Sequence, residues 1–344
     1  MEITTLIVNV GVLFIMMAPG VILKKCKFVN DSFGKGISNL VLYIAQPALI
    51  VYAYISCESR FADIWFNCIM TLVLSLLAHA IFASISICLF KGAQEKRRPM
   101  LRFATIFSNA AFMGIPLIQA ILGAEAAIYA SIYNISFNLF LWTLGVHLCT
   151  RKPGVDMDGD GDSDLKDELI SAKHSMRKEV SMLKLMLHPV TLASAIGVLL
   201  LVCGVNISLL ESNGLGIIST SLEMIKGLVA PLSMVVIGLR LSDIKVKGIF
   251  RDTGLYVFLL MRHLALPLIM VLVMFLINLT GLEITYTTRI VVLLLASTPA
   301  ASSAAMFAEK YNCDVPYVSQ LVVISTILSI ASMPAVVALS SLLF

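Results

Sequence analysis

Apolar segments of membrane-spanning length recur along the whole sequence. A transmembrane helix needs about 20 mostly apolar residues, and 59% of these 344 residues are hydrophobic while only 13% are charged. Such segments are predicted at 4–23, 36–56, 64–90, 100–122, 125–149, 188–207, 215–241, 253–279, 286–308 and 317–343. Backbone polar groups find no partner in hydrocarbon unless the segment is helical. The sequence therefore predicts an all-α integral membrane protein with ten transmembrane helices.

Basic residues mark one side of the predicted membrane. Lys and Arg in short loops stay on the cytoplasmic side, and 21 of the 25 basic residues lie in or beside the loops after the first, third, fifth, seventh and ninth segments. We therefore expect the chain in the plasma membrane, with both termini extracytoplasmic and the 150–187 loop cytoplasmic. The net charge of +4 follows from this topology, so no nucleic-acid partner is predicted.

The hydrophilic segment 150–187 divides the spans into five and five. An odd number of helices in each half gives the halves opposite orientations, as an inverted repeat requires. Two residue pairs keep one offset, because Pro47 and Pro231 are 184 residues apart, as are His79 and His263. The predicted domains are a first five-helix repeat at 1–149, a cytoplasmic linker at 150–187 and a second five-helix repeat at 188–344.

Two predicted spans contain residues that interrupt a helix. The fourth holds an amide, a glycine and a proline within 108–117, and the ninth holds hydroxyls and a proline within 297–303. A break at membrane depth survives only where protein buries it or where it lines a wet cavity. Interruptions in corresponding positions of two halves indicate the binding site of a secondary transporter. The candidate binding residues at the breaks are Asn109, Gly114, Pro116, Thr298, Pro299, Ser302 and Ser303.

Amide side chains near the first break suit a polar ligand. Asn109 offers two donors and one acceptor, which could serve a carboxylate, a proton carrier or freed backbone. Asn134 and Asn138 are four residues apart, so they share one face of the fifth helix. We take this pair as further candidate binding residues, with hydrogen bonding between helices as the alternative role.

The predicted spans are poor in carboxylates and hold several basic groups. Apart from Glu223, no carboxylate lies well away from an interface, although a carrier of dehydrated cations or of protons would need one at its breaks. The basic groups are His79, Lys226, Arg262 and His263, which are candidates for coupling to protons or sodium. Broken helices also direct partly positive N-termini at the cavity. Together these charges favour an anion.

Each of these basic groups also has a structural alternative. Lys226 could pair with Glu223, three residues before it on the same helix face. Arg262 could extend its charged end towards the membrane surface or cap carbonyls of a neighbouring helix. His79 and His263 could be helix-packing residues, whereas a histidine inside the membrane could also relay protons near neutral pH.

The central hydrophilic loop contains a weak calcium-binding pattern. Its spacing of acidic residues, with Gly161 at the sixth position, resembles an EF-hand loop. The candidate calcium ligands are Asp156, Asp158, Asp160, Asp162 and Asp167. The twelfth position is aspartate where the motif has a bidentate glutamate, and no entering helix is predicted, so a solvated acidic linker is the alternative. No other cofactor is predicted.

Four stretches of the sequence resemble the auxin efflux carrier family, which includes plant carriers and prokaryotic organic-anion permeases. They are 109–118 in the fourth helix, 299–312 at the ninth, 230–239 in the seventh and Gln46-Pro47-Ala48 in the second. The resemblance implies a 5+5 inverted repeat in which broken helices 4 and 9 cross, as in sodium/proton-antiporter-like and bile-acid-symporter-like folds. It also implies a scaffold of helices 1, 2, 6 and 7, a mobile unit of helices 3–5 and 8–10, and a homodimer.

The resemblance assigns roles to particular residues. Asn109 matches the substrate-contacting asparagine of the family, Pro116 and Pro299 match its crossover prolines, and Gln46 and Pro47 join the predicted binding site. The sequence departs from the plant carriers in two respects. Its central loop is short, which suggests a prokaryotic-type permease, and Ala304 stands where those carriers have a second proline.

The sequence thus predicts a secondary transporter for small organic anions of the auxin, malate or malonate type, working by alternating access. A membrane sensor or scaffold that does not transport, built on a carrier fold, is one alternative, and a passive anion channel is another. An enzyme is not predicted, because the spans lack paired aspartates and the His-Glu-x-x-His and Gly-x-Ser-x-Gly motifs.

Overall fold

The computed structural model describes residues 3–150, 188–242 and 251–341, and all regular elements within them are helices. Before residue 151 the α-helices are α1 Ile3–Ile15, α2 Ala18–Lys25, α3 Asp31–Leu40, α4 Gln46–Ile55, α5 Phe61–Leu89, α6 Arg98–Ile106, α7 Ile115–Phe140 and α8 Val146–Thr150. After residue 187 they are α9 Pro189–Val202, α10 Ile207–Ser212, α11 Gly216–Lys226, α12 Val229–Ser242, α13 Thr253–Leu260, α14 Leu266–Leu279, α15 Tyr286–Ser297, α16 Ser303–Lys310 and α17 Val315–Ser340.

Seven helical stretches of the described residues are long and apolar enough to cross a membrane. They are Thr4–Lys25, Ser32–Ile55, Phe61–Leu89, Ala110–Thr150, Gly216–Ser242, Thr253–Leu279 and Val315–Ser340. Many large apolar side chains on these helices face outwards, such as Ile15 and Met224, each 74% exposed. Soluble proteins rarely expose so much apolar surface, whereas a bilayer covers it. The prediction of an all-helical, multi-pass membrane protein is therefore confirmed.

The count of seven differs from the ten predicted spans for local reasons. The Ala110–Thr150 stretch covers two predicted spans, and Gly123, with φ 81° and ψ −163°, interrupts it where the sequence places a loop. Only glycine adopts this backbone conformation without strain. The predicted spans 188–207 and 286–308 correspond to the shorter apolar helices Pro189–Val202 and Tyr286–Ser297. The second of these is short because the predicted break ends it.

Prolines explain three π-helical stretches within the long helices. These stretches are Val41–Ala45, Ala110–Gly114 and Met261–Ala265. Each ends two residues before a proline, namely Pro47, Pro116 and Pro267. A proline ring clashes with the carbonyl four residues earlier and cannot donate to it, so the preceding turn widens. A fourth stretch, Leu141–Gly145, has no proline after it.

Helices α2 and α12 pack at unusually close range. A Cβ atom on Gly20 would overlap the backbone of Val235, and a Cβ on Gly238 would overlap the carbonyl of Met17. Small residues of this kind let helix backbones approach closely in membrane proteins. We call this contact the glycine seam. It joins the first apolar stretch to Gly216–Ser242, one on each side of the central loop.

Candidate functional site

The first predicted break divides α6 from the rest of its span. Helix α6 ends at Ile106, and Phe107 has the extended φ of −94° and ψ of 116°. The chain becomes helical again at Ala110 after Asn109, whose φ is −79° and ψ 46°. Pro116 lies in the first turn of α7, directly after the π-helical stretch Ala110–Gly114. The helix therefore breaks where the sequence predicts it.

The second predicted break lies directly against the first. Helix α15 ends at Ser297, Thr298 is extended and α16 begins at Ser303. The Asn109 amide donates to the Pro299 carbonyl at 2.8 Å, and the Ala301 amide donates to the Phe107 carbonyl at 2.9 Å. Each break therefore supplies hydrogen-bond partners to backbone groups that the other leaves free, which a break inside a membrane requires. We call this paired region the crossing.

Arg262 binds the ends of both interrupted helices. Its guanidinium donates to the Thr105 carbonyl at 3.0 Å, to the Ala296 carbonyl at 3.0 Å, and to the Thr298 carbonyl at 3.1 and 2.8 Å from two nitrogens. These carbonyls lie at the C-terminal ends of α6 and α15, where the helix dipole favours a cation. Arg262 is completely buried. The structure thus shows the capping arrangement that we consider above as the alternative to ion coupling.

Polar side chains of the two breaks also meet. The Asn109 side-chain amide donates to the Ser302 hydroxyl at 3.1 Å, and both residues are buried. The Thr298 hydroxyl instead donates to the Leu295 carbonyl at 2.9 Å, within its own helix end. Ser303 is the first residue of α16. Asn109 therefore contacts two other predicted binding residues, Ser302 through its side chain and Pro299 through its backbone amide.

Helix α4 and Gly114 complete the surroundings of the first break. The Gln46 side chain donates to the Ala111 carbonyl at 2.6 Å, while its own oxygen is buried without a partner. Pro47 follows in the first turn of α4. A Cβ on Gly114 would overlap the side chain of Leu295 in α15. Glycine at this position lets the two interrupted spans approach each other.

Other predicted site residues lie in separate contacts. Asn134 and Asn138 are buried in α7, and each has one side-chain atom without a partner. Lys226 lies 3.6 Å from Glu223 and 3.6 Å from the centre of the Tyr52 ring. The Glu223 contact has the geometry of the structural pair considered above.

The two predicted histidines have different neighbours. His79 is hydrogen-bonded to the Ser75 carbonyl at 2.7 Å and stacks on Phe140 with ring centres 5.4 Å apart. His263 contacts the Ser332 hydroxyl at 2.8 Å. Both rings are buried. These contacts are those of helix-packing residues, and the coupling role of the histidines stays a prediction.

A cavity of about 1010 Å³ lies beside the crossing, between α3, the end of α12, α16 and the start of α17. Its charged lining residues within the described part of the chain are Lys24, Lys35, Arg240, Lys310 and Glu309. The Lys35 ammonium contacts the Glu309 carboxylate at 2.8 Å. Among the lining residues that the structure describes, basic groups therefore outnumber carboxylates by four to one.

Arg240 connects the cavity to the crossing, and the sequence does not single it out. It lines the cavity, and its guanidinium donates to the carbonyl of Ser302. The hydroxyl of the same serine accepts the hydrogen bond from Asn109. In the sequence it is one of several basic residues at the edge of the loop after the seventh span, where the positive-inside rule already accounts for it. The signal that could have found it is its place inside an apolar helix, directly after Leu239.

The calcium pattern at Asp156, Asp158, Asp160, Asp162 and Asp167 lies outside the described residues. Among the residues that the structure describes, no three histidine, cysteine, aspartate or glutamate side chains form a group that could hold a metal ion.

Interrupted membrane helices that meet at buried polar side chains are a recurring feature of membrane transporters. The family model described as "Membrane transport protein" matches residues 5–337. The chain therefore belongs to this family, the auxin efflux carrier family, as the resemblance predicts. It is also 25% identical, over 323 residues and 93% of each chain, to an uncharacterized transporter of Methanothermobacter thermautotrophicus. These similarities point to a transporter and not to an enzyme.

Proposed function

We propose that this transporter is a secondary carrier of small organic anions, carboxylates of the auxin, malate or malonate type, that works by alternating access. The observation that carries the proposal is the crossing, where the Asn109 amide meets Ser302 beside a cavity with a basic lining. Amide and hydroxyl donors suit a carboxylate, and the N-terminus of α16 adds partial positive charge.

The charge of the cargo follows from the groups around the crossing. Arg262 donates hydrogen bonds to carbonyls at the C-terminal ends of α6 and α15. Its charge therefore offsets the partial negative charge of both helix ends. No carboxylate faces the crossing in the described contacts of Asn109, Ser302 and Arg262. A dehydrated cation would lack the partner that it needs in such a place. An anion at the same place would meet hydrogen-bond donors, the Asn109 amide and the Ser302 hydroxyl.

We further propose ten membrane crossings in two inverted five-helix repeats. The interruption at Gly123 supports two crossings within Ala110–Thr150. The apolar helices α9 and α15 supply two more, the second continued by α16 beyond its break. The equal spacing of the proline and histidine pairs supports the repeat. In this topology the cavity opens to the cytoplasm, because Lys24, Lys35 and Lys310 belong to the basic loops.

Alternating access requires one part of the molecule to move against another. Following the family, we propose that α1–α4 and α9–α12 form the scaffold, that the remaining helices move, and that two copies form a homodimer in the plasma membrane. The glycine seam fits this division, since α2 and α12 then both belong to the scaffold. The cavity lies between α3 and α12 on one side and α16 and α17 on the other.

Uptake into proteoliposomes tests the proposal. The purified protein is assayed with malate, malonate and indole-3-acetate under imposed proton and sodium gradients, and we expect saturable uptake of at least one of them. Asn109→Ala should lower that uptake about tenfold or more, because a hydrogen bond to a charged group contributes about 1.5–3 kcal/mol.

The matched control is Asn9→Ala, which removes an amide that bonds only to the Thr5 carbonyl of its own helix. Its uptake should equal that of the wild type. Saturable uptake that Asn109→Ala leaves unchanged would exclude the crossing as the binding site. Uptake that stays proportional to concentration for all three acids would favour the passive channel, and no uptake would favour the sensor.

A further inference from the structure

Arg240 is a partly buried cation with an incomplete set of partners. A guanidinium has five N–H donors, and among the described residues the single hydrogen bond of Arg240 goes to the Ser302 carbonyl. Arg262, by comparison, makes four hydrogen bonds to three carbonyls. The remaining donors of Arg240 belong to a side chain that lines the cavity.

Among the described residues no carboxylate is hydrogen-bonded to Arg240, and Glu309 acts on it only as an electrostatic attraction without direct contact. Glu309 is the acidic residue among the described lining residues, and Lys35 already binds it at 2.8 Å. A cation that is removed from water ordinarily has a paired anion, because desolvation costs several kcal/mol. Arg240 therefore has both the need and the free donors for an anion that comes from outside the chain.

The position of Arg240 places such an anion next to the crossing. Ser302 accepts a hydrogen bond from Arg240 at its carbonyl and one from Asn109 at its hydroxyl. Helix α16 begins at the following residue, so its partly positive N-terminus lies at the same place. Arg240 thus lines the cavity and also contacts a residue of the crossing.

We infer that Arg240 binds the carboxylate of the transported anion where it passes from the cavity to Asn109. The inference rests on the proposed function and names a binding residue for it. The planar guanidinium can hold a carboxylate through two parallel hydrogen bonds, which an ammonium cannot do. Arg240 thus selects carboxylates over neutral molecules of the same shape.

Uptake kinetics of Arg240→Gln and Arg240→Lys test this inference. For the acid of the panel that the wild type takes up best, Arg240→Gln should raise KM about tenfold or more with a smaller change in the maximal rate, because a charge-assisted bond is lost. The KM of Arg240→Lys should lie between those of the wild type and Arg240→Gln. Lys96→Gln removes the same charge from an exposed position outside the cavity lining and should keep the KM of the wild type.

A second measurement uses the unmodified protein and so does not depend on how well a variant folds. Phenylglyoxal modifies accessible arginines, and mass spectrometry measures its reaction with Arg240. The best panel acid should slow the modification of Arg240 and leave that of exposed Arg60 unchanged. Modification of Arg240 at the same rate with and without the acid overturns the inference.

The two proposals fail in different ways. An unchanged KM in Arg240→Gln, with saturable uptake in the wild type, overturns the role of Arg240 and leaves the proposed function standing. An equal rise of KM in Lys96→Gln also overturns it, because a general attraction of anions by this face would then suffice. Absence of saturable uptake by the wild type overturns both.

Discussion

Two buried or partly buried arginines differ in how many hydrogen bonds the described residues give them, and we therefore propose a structural role for one and a binding role for the other. Arg262 has its donors on backbone carbonyls of both breaks, whereas Arg240 has one carbonyl partner and faces a cavity. The sequence identifies Arg262 because a charge inside an apolar span is unusual. It cannot show which carbonyls the side chain reaches, since they lie 34 to 157 residues away.

Arg262→Met should destabilise the fold strongly. The substitution leaves the carbonyls of Thr105, Ala296 and Thr298 without their donor, and an unsatisfied buried polar group costs about 1–3 kcal/mol. We expect the free energy of unfolding to fall by about 3 kcal/mol or more, and the thermal midpoint in detergent, followed by size-exclusion chromatography with fluorescence detection, to fall with it. The thermal midpoint of Arg262→Lys should lie between those of Arg262→Met and the wild type.

Arg60→Met is the matched control for Arg262→Met. The Arg60 side chain is 85% exposed, and within the described residues its ion pair is with Asp63 at 3.3 Å. Exposed pairs contribute about 0–1 kcal/mol, so this midpoint should stay near that of the wild type. Equal midpoints for Arg262→Met and the wild type would show that the carbonyls find other donors.

At the scale of elements, the sequence predicts where the helices are interrupted better than it predicts which segments then meet. Pro116 and Pro299, with Asn109 and Ser302 nearby, predict both breaks correctly because proline acts on its own helix. The end of α9 is also local, since Gly204, with φ 71°, closes the helix after Val202. The pairing of Asn109 with Pro299 depends instead on a distant segment. The Asn109 amide and the Pro299 carbonyl meet only in the folded protein, so no local pattern in the sequence predicts their hydrogen bond.

The glycine seam gives a prediction about helix packing. Gly238→Ala places a methyl group against the carbonyl of Met17 and close to the Cα of Gly20. Both are backbone atoms that cannot rotate away, so we expect a loss of about 1–3 kcal/mol in stability, as for other overpacked sites. The same thermal midpoint assay measures it.

Gly11→Ala, in α1, is the matched control for Gly238→Ala because it changes a glycine that lies in open space. Its added Cβ meets no atom within 4 Å, and alanine is favoured over glycine inside a helix by about 0.5–1 kcal/mol. The midpoint should therefore stay the same or rise. A fall for Gly11→Ala equal to that for Gly238→Ala would mean that loss of glycine itself, and not the close approach, is responsible.

At the scale of the whole molecule, the cavity lies between the two proposed units, and an ion pair among the described residues connects its two sides. Lys35 belongs to α3 and Glu309 to α16, and their side chains are 65% and 59% exposed. Breaking so exposed a pair costs little by itself. The pair is therefore suited to reporting movement of one unit against the other.

Cross-linking of Lys35→Cys with Glu309→Cys should stop transport. The seven native cysteines are first replaced, and a short bifunctional maleimide then joins the two introduced thiols. We expect uptake to fall to background only in the joined double variant, because α3 and α16 can no longer separate. The two single variants, treated in the same way, should retain uptake. Full uptake after complete cross-linking would contradict alternating access.

The hydrogen bond between Arg262 and Thr105 has a consequence for biosynthesis. The carbonyl of Thr105 enters the membrane 157 residues before its guanidinium partner is made. At about 5–20 residues per second, the interval lasts roughly 8–30 s. During that time the carbonyl must bond to water, to another group of its own chain or to a protein at the insertion site. The first half of a newly made chain is therefore exposed to misfolding and to quality control until residue 262 arrives.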